Sequence, residues 1–322
     1  MSVSVASPSL GVVGTLRLWW EMTRPKVLLL VLFTGLPVLG MQADGWPTLA
    51  RAAATLFGTA LAGAASSTLN AWMERETDAR MARTKSRPIP AAAVSPHSAL
   101  VLGLTLTVLS TLVLWVVGGP LAASVGLSTI AFYVVVYTWW LKPRTPQNIV
   151  IGGAAGATAP MILEAALADR IGPASILCFL IVFLWTPPHF WAIAIFRKEE
   201  YAAAGFPMMP NVVGDRATRR QSMAYAVALL ITSLAPTALG LLGWLYGATA
   251  LFAGVWFCAA VARSMRADVP AVDYRVFRVS IVYLFIVFGA MFGDAVLSTV
   301  LPSVFAPATW SVWAPSPGGW GA

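Results

Sequence analysis

The sequence predicts an all-α, polytopic membrane protein whose transmembrane helices, about nine in number, are bundled around a central cavity open to the cytoplasmic side. Of the 322 residues, 58% are hydrophobic and 11% are charged, whereas an ordinary soluble domain has about 25% charged residues. Apolar runs of the roughly 20 residues that cross a bilayer recur along the chain. The charged residues lie in alternate connections between these runs, as membrane topology requires.

Nine apolar runs account for most of the chain. They are predicted at residues 27–43, 49–73, 98–117, 121–140, 148–168, 174–195, 223–243, 246–265 and 278–300. Together they form one transmembrane domain at 27–300, preceded by a cytoplasmic or interfacial segment at 1–26 and followed by a periplasmic tail at 301–322. Within the first segment, residues 12–24 combine apolar residues with arginine and tryptophan, which favours a helix lying in the membrane interface.

The basic residues indicate the orientation of the chain. With the N-terminus inside, all of the 21 Lys and Arg except Arg51 and Arg170 lie on the cytoplasmic face. This distribution predicts a multi-pass protein of the cell inner membrane, with a cytoplasmic N-terminus and a periplasmic C-terminus. Because the cations are divided among several loops, the net charge of +8 does not indicate nucleic-acid binding.

Polar side chains continue directly from the second apolar run into its cytoplasmic connection. At about 100° per residue, Asn70, Glu74 and Asp78 share one stripe of a continuous helix. Such oxygen ligands suit Mg²⁺, which is commonly held by one or two carboxylates together with substrate phosphates. The alternative is a solvated loop whose charges only set topology, but the cost of polar groups next to a membrane span favours a site. We therefore predict that these three residues are metal ligands and catalytic residues.

Basic residues follow this stripe and suit the phosphate oxygens that a metal leaves free, because arginine can bind them in a bidentate manner. They are Arg75, Arg80, Arg83, Lys85 and Arg87. We assign Arg83 and Lys85 to catalysis, and Arg75 and Arg87 to substrate binding.

A second acidic connection follows the sixth run, four spans after the first and therefore on the same face. Glu199 and Glu200 are predicted to bind a second Mg²⁺. Gly205, Pro207 and Pro210 interrupt the helix and are predicted to shape a lid or a cavity wall. Both loops are therefore expected to converge on one cavity at the cytoplasmic face.

Two acids lie within or near the predicted spans, where charged groups are costly and often functional. Glu164 falls near the outer end, away from both acidic loops, so a snorkelling or helix-contact role is favoured. Asp294 lies deeper and has no assigned role. Cys178 and Cys258 fall inside apolar runs and are predicted to be packing residues.

Four segments have a distinctive combination of residues. They are 23–26 (TRPK), 70–88, 186–191 (TPPHFW) and 201–210. Together they resemble the UbiA superfamily of intramembrane prenyltransferases. The first acidic loop is typical of the whole superfamily, whereas 186–191 and 204–208 (AGFPM) point to its haem-modifying branch. The chain has glutamate at 74, 76, 199 and 200, where the family more often has aspartate.

The resemblance implies transfer of a farnesyl group from farnesyl diphosphate to a vinyl group of haem b, with addition of water and release of diphosphate. It also implies Mg²⁺, with two ions expected, a farnesyl chain held between helices inside the bilayer, and haem A synthase as a candidate partner. Substrate binding would then involve Arg24, Lys26, Arg75, Arg87, His189, Lys198 and Tyr201. For His189, ligation of haem iron and simple packing are both open.

Two other functions remain open from the sequence. One is prenyl transfer to a quinone precursor or a chlorin ring. The other is transport, in which polar residues line a path across the bilayer. The concentration of polar residues on one face argues against such a path.

Overall fold

The computed structural model describes residues 12–42 and 45–301, and all regular secondary structure in these two ranges is helical. The helices are α1 Val12–Met22, α2 Pro25–Gly40, α3 Leu49–Met73, α4 Arg75–Arg80, α5 Pro96–Ala131, the π-helix Phe132–Leu141, α6 Asn148–Gly156, α7 Ala159–Ala168, α8 Pro173–Phe196, α9 Lys198–Ala203, α10 Met209–Val213, α11 Asp215–Ala238, α12 Trp244–Ala267 and α13 Pro270–Val300. The all-α fold class is confirmed. The tail predicted at 301–322 lies outside the described residues, apart from its first residue.

The count of nine spans is not reproduced as it stands. Within the described residues, seven helices are long and apolar enough to cross a membrane, or eight if the bent pair Leu16–Met22 and Pro25–Gly40 forms one span. One of the seven is Pro96–Leu141, with 46 residues. At 1.5 Å per residue a straight helix of that length would extend about 69 Å, more than twice the thickness of the hydrocarbon core.

The segment Pro96–Leu141 folds back on itself. Gly119 has a non-helical backbone, with φ 73° and ψ −170°, immediately before Pro120. In a straight helix Leu114 and Gly126 would be about 18 Å apart, yet a Cβ on Gly126 would lie 2.5 Å from the Leu114 side chain. The segment therefore contains a hairpin, and its two arms correspond to the runs predicted at 98–117 and 121–140.

Helix α8 lies at the centre of the bundle. It contacts α2, α6, α7, α11 and α13, while α3 packs mainly along α5. The largest hydrophobic core joins α2, α8, α11, α12 and α13 and includes fully buried Tyr246, Phe257 and Tyr283. Outward-facing positions such as Val116 and Phe252 are apolar and exposed, as expected for a surface in contact with lipid.

Two buried acids stabilise helix N-termini at the end of the bundle opposite the acidic loops. The Glu164 carboxylate accepts hydrogen bonds from the backbone N–H groups of Gly172 (2.9 Å) and Ser175 (3.3 Å) at the start of α8. Asp294 accepts one from Gly243 (2.7 Å) at the start of α12. The carboxylates thus satisfy N–H groups that a helix start leaves unpaired and complement its positive dipole. This geometry agrees with the helix-contact role favoured for Glu164 and gives Asp294 a similar one.

Candidate functional site

The stripe of the first acidic loop is present, but it is not carried by one continuous helix as predicted. Helix α3 ends at Met73 and α4 begins at Arg75, with Glu74 between them at φ −87° and ψ 2°. The spacing survives because the N–H of Glu74 donates to the carbonyl of Asn70 (2.9 Å), and that of Asp78 to the carbonyl of Glu74 (2.7 Å). The three side chains of the stripe are consequently buried, whereas Glu76 is exposed.

Each member of the stripe contacts one cation. Arg24 donates from Nη2 to Oδ1 of Asn70 at 2.9 Å. Lys142 forms an ion pair with Glu74. Arg87 donates from Nη1 to Oδ2 of Asp78 at 2.6 Å. We call these six residues the charge cluster; its cations come from the start of α2, the end of the π-helix and the loop after α4. The Asn70 amide also donates to Thr138 Oγ1 at 3.0 Å.

The charge cluster shifts the pKa of two of its members. Burial raises the pKa of Glu74, but the charges of Lys142 and Arg24 outweigh this effect, so the pKa lies below the ordinary value of 4.5. Burial lowers the pKa of Arg87, and the positive charge of Arg24 lowers it further; the Asp78 carboxylate offsets this only in part. Crowded cations at one place indicate a surface suited to a polyanion.

Lys142 was not predicted from the sequence to be a site residue. Its ammonium lies 5.0 Å from the ring centroid of Phe206 and 5.8 Å from that of Tyr137. Since Phe206 belongs to the second acidic loop and Glu74 to the first, Lys142 contacts both loops. The available signal was a cation directly after an apolar run, which had been interpreted only as a marker of topology.

The second acidic loop has a different character from the first. Glu199 and Glu200 are exposed, and Glu200 pairs with Arg197 at 3.3 Å. Lys198 pairs with Asp215 at 2.8 Å. Tyr201 packs with Phe206 against a small apolar core of Ile149, Ala194 and Met208. The loop therefore forms a wall beside Lys142, and its two glutamates are not part of the charge cluster.

The other predicted cations lie around the charge cluster or point away from it. Lys26, Arg83 and Lys85 are exposed. Arg75 donates to the backbone carbonyl of Trp72 at 2.8 Å and pairs with exposed Glu76 at 3.3 Å. A cavity of about 670 Å³ between α1 and the loop after α4 is lined by residues that include Arg24, Lys26 and Arg87.

The donor set of the first loop fits one Mg²⁺. Asn70, Glu74 and Asp78 supply hard oxygen atoms in one buried stripe, and Mg²⁺ bound to a substrate diphosphate needs one or two carboxylates. Among residues 12–42 and 45–301, no three His, Cys, Asp or Glu side chains are grouped as an all-protein metal site would require. A metal here would therefore depend on oxygen atoms from the substrate. A second ion at Glu199 and Glu200 stays a prediction.

An apolar cavity of about 230 Å³ adjoins the charge cluster. It lies between α2, the π-helix, α6 and α8, with Tyr133, Tyr137, Trp185 and His189 among its lining residues. Tyr137 connects the apolar cavity with the charge cluster, because its ring lines the cavity and lies under the Lys142 ammonium. Space for this ring depends on Gly152, where a Cβ would lie 2.1 Å from it.

His189 is buried in this cavity wall in an aromatic environment. Its ring stacks on Trp185 at 4.1 Å and on Phe277 at 4.7 Å, between ring centroids. Its Nδ1 lies 2.7 Å from Ser280 Oγ. The structure thus places His189 in the wall of the apolar cavity, and it places Asn70, Glu74, Asp78, Arg24 and Arg87 in the charge cluster next to Tyr137. Trp185 and Ser280 were not identified from the sequence.

Proteins of known function resemble the chain over most of its length. The chain is 44% identical over 287 residues to a protoheme IX farnesyltransferase of Acidiphilium cryptum, an alignment covering 86% of this chain and 90% of that protein. It is 46% identical over 284 residues to the protein of that name from Rhizorhabdus wittichii, covering 86% and 93%.

Solved structures show a similar fold. The structure of a digeranylgeranylglyceryl phosphate synthase has a TM-score of 0.74 at 17% identity and covers 87% of this chain and 98% of its own. A UbiA homologue from Archaeoglobus fulgidus bound to DMAPP and Mg²⁺ has a TM-score of 0.61 at 14% identity, covering 85% and 98%. The model of the UbiA prenyltransferase family matches residues 31–289. The chain therefore belongs to the UbiA prenyltransferase family.

Proposed function

We propose that this membrane prenyltransferase moves a farnesyl group from farnesyl diphosphate to a vinyl group of haem b, with addition of water and release of diphosphate. Its relatives from Acidiphilium cryptum and Rhizorhabdus wittichii carry the name of that activity. The observation that carries the proposal is the position of Tyr137, whose ring lines the apolar cavity together with His189 and lies 5.8 Å from the Lys142 ammonium of the charge cluster. A prenyl diphosphate needs both environments next to each other, a cationic one for its diphosphate and an apolar one for its hydrocarbon chain.

The charge cluster would hold the diphosphate at the mouth of the cavity. Arg24, Lys142 and Arg87 are oriented by Asn70, Glu74 and Asp78, and the exposed Arg83 and Lys85 would close on the phosphate oxygens from the loop. Lys26, Arg75, Lys198 and Tyr201 are proposed substrate contacts around this position. Bound Mg²⁺, held by the stripe and with a second ion at Glu199 and Glu200, would offset the charge that develops on the departing diphosphate.

The apolar cavity would hold the farnesyl chain and protect it from water. Tyr133 and Tyr137 line the cavity at the end next to Lys142, so their ring faces can stabilise positive charge on the allylic carbon as the carbon–oxygen bond breaks. The surrounding apolar wall excludes water from that carbon. His189, farther along the same cavity, is the proposed contact for haem b.

The proposed orientation follows from the distribution of charge. The charge cluster and both acidic loops lie at the end opposite Arg51, which donates to the carbonyl of Ala166 at 3.0 Å. We propose that the acidic loops face the cytoplasm of a bacterial inner membrane, with the C-terminus in the periplasm. Haem A synthase is the proposed recipient of the product.

A product assay tests the function. Purified protein in detergent would be incubated with farnesyl diphosphate, haem b and Mg²⁺, and the pigment identified by mass spectrometry. The expected product is haem b increased by one farnesyl group and one hydroxyl group, because the proton of the added water is released. It should form with Mg²⁺ and be absent after chelation. No such pigment, together with prenylation of an aromatic acid or a chlorin offered in parallel, would contradict the proposal.

A further inference from the structure

Ser280 of α13 contacts two cavity-lining side chains of α8 at once. Its backbone carbonyl accepts a hydrogen bond from Trp185 Nε1 at 2.7 Å, and its Oγ lies 2.7 Å from His189 Nδ1. Ser280 is completely buried. Trp185 and His189 also stack on each other. One residue on a neighbouring helix therefore holds both rings in this part of the cavity wall.

The hydrogen bonds of Ser280 indicate which nitrogen of His189 carries the proton. The Ser280 Oγ also lies 2.6 Å from the carbonyl oxygen of Phe277, which can only accept, so we assign the single hydroxyl hydrogen to this bond. The oxygen can then only accept from His189, so Nδ1 is the protonated nitrogen. The other tautomer would place an N–H at Nε2, for which the described residues provide no acceptor, and unpaired buried N–H groups are rarer than unpaired acceptors.

The direction of the imidazole is fixed as well as its tautomer. Trp185 covers one face of the ring at an interplanar angle of 21°, and Phe277 covers the other at 29°. Rotation of the ring would break both stacking contacts and the bond to Ser280. Because His189 lines the apolar cavity, a lone pair on Nε2 is held in one orientation at its wall.

We propose that Ser280 is a positioning residue, which holds His189 as the Nδ1–H tautomer so that its Nε2 binds the iron of haem b. A neutral imidazole nitrogen is a common metal ligand, and a hydrogen bond to the other nitrogen selects which one is free. In identifying the ligand as haem b, the inference rests on the proposed function. The assignment of the tautomer and of the ligating atom goes beyond it.

The test is a spectroscopic titration of the purified full-length protein with haem b, which does not require turnover. We expect the wild type to give the absorption spectrum of histidine-ligated haem, and His189→Ala to lose it. Ser280→Ala should weaken haem binding by about 10- to 100-fold, the usual effect of removing a partner of a metal-ligating histidine. Ser280→Thr, which keeps the hydroxyl, should restore most of the affinity.

Ser222→Ala is the matched control, because Ser222 is also a buried serine that donates to its own helix, at 3.0 Å to the carbonyl of Thr218, and does not contact His189. It should bind haem like the wild type. Unchanged affinity and spectrum in Ser280→Ala would overturn the inference, and so would an unchanged spectrum in His189→Ala. Since the product assay is scored separately, a wild type that forms farnesylated haem while Ser280→Ala binds haem normally would leave the function standing and remove only this inference.

Discussion

Glu74 and Asp78 are buried carboxylates, and each is paired with one cation from another segment of the chain. Burying an unpaired charge is costly, so these pairs allow the stripe to lie at the edge of the bilayer. An arriving diphosphate would compete with the carboxylates for the same cations, and Mg²⁺ would then restore the balance of charge. These ion pairs are therefore the resting arrangement of the site, and binding of the substrate is expected to break them.

The contrast between Glu74 and Glu76 gives a direct prediction. Glu74→Gln should reduce turnover by about 100-fold or more, because the residue is buried among the groups proposed to hold the diphosphate. Glu76→Gln is the matched control and should stay close to the wild type, since this side chain is exposed and does not belong to the charge cluster. The measurement is the rate of farnesylated haem formation, and equal losses in the two variants would contradict the assignment of the stripe.

The lowered pKa of Glu74 predicts how stability depends on pH. A carboxylate whose pKa is lower in the folded than in the unfolded protein stabilises the fold above its unfolded value of about 4.5. That contribution is lost as the pH falls through the lower folded value. The double variant Glu74→Gln/Lys142→Met should therefore lose less stability than the wild type on acidification from about pH 7 to about pH 3.

Thermal unfolding in detergent measures this difference. Glu76→Gln serves as the control and should keep the wild-type dependence on pH, because its exposed charge contributes little to stability. Identical acid profiles for the double variant and the wild type would show that the Glu74–Lys142 pair does not stabilise the fold.

Residue types and helical spacing were sufficient to predict that Asn70, Glu74 and Asp78 share one stripe and that Arg87 belongs to the same site. They were not sufficient for Lys142 or Ser280, since these residues come from parts of the chain that are distant in sequence from Glu74 and His189. Their roles depend on which helices become neighbours, which a single sequence without a packing model does not specify. The exposure of Glu199 and Glu200 was not predictable for a similar reason. Helical spacing alone does not show which face of a short helix is covered by other parts of the protein.

Two short irregularities in the helices position the residues of the charge cluster. The break at Glu74 lets α4 turn away from α3 while keeping the stripe buried, and the wide turns of the π-helix bring Thr138 to Asn70 and Lys142 to Glu74. π-Helical segments are often found at functional sites. The π-helix was not predictable from the apolar runs, because hydrophobicity continues through it without a change.

Two of the three glycines of α6, Gly152 and Gly156, differ in a way that can be measured. A Cβ on Gly152 would overlap the Tyr137 ring, whereas a Cβ on Gly156 would meet no atom within 4 Å. Gly152→Ala should lower the free energy of unfolding by about 1–3 kcal/mol through overpacking. Gly156→Ala should leave it unchanged or raise it by up to about 1 kcal/mol, because alanine favours helix. Equal thermal stabilities of the two variants would contradict the close packing of α6 on the π-helix.

The two ends of the helical bundle have different roles. One end carries the charge cluster and both acidic loops, while the other has Glu164 and Asp294 at helix N-termini. Hydrophobic runs and the positive-inside rule predicted this polarity. They also predicted the hairpin in Pro96–Leu141, since two spans fit its length and one does not.

Labelling from each side of the membrane tests the predicted orientation. In a chain without Cys178 and Cys258, a single cysteine at exposed Glu76 should react with a membrane-impermeant thiol reagent only from the cytoplasmic side. A single cysteine at exposed Arg170 should react only from the periplasmic side. The reverse pattern would show that the orientation is inverted.

The central claim is that the charge cluster and the apolar cavity are two parts of one prenyl diphosphate site. An experimental structure with Mg²⁺ and a non-hydrolysable farnesyl diphosphate analogue tests it most directly. We expect the diphosphate to contact Arg24, Lys142 and Arg87, with the chain passing Tyr137 towards His189. A chain bound outside the cavity lined by Tyr137 and His189, or a diphosphate distant from Lys142, would contradict the account.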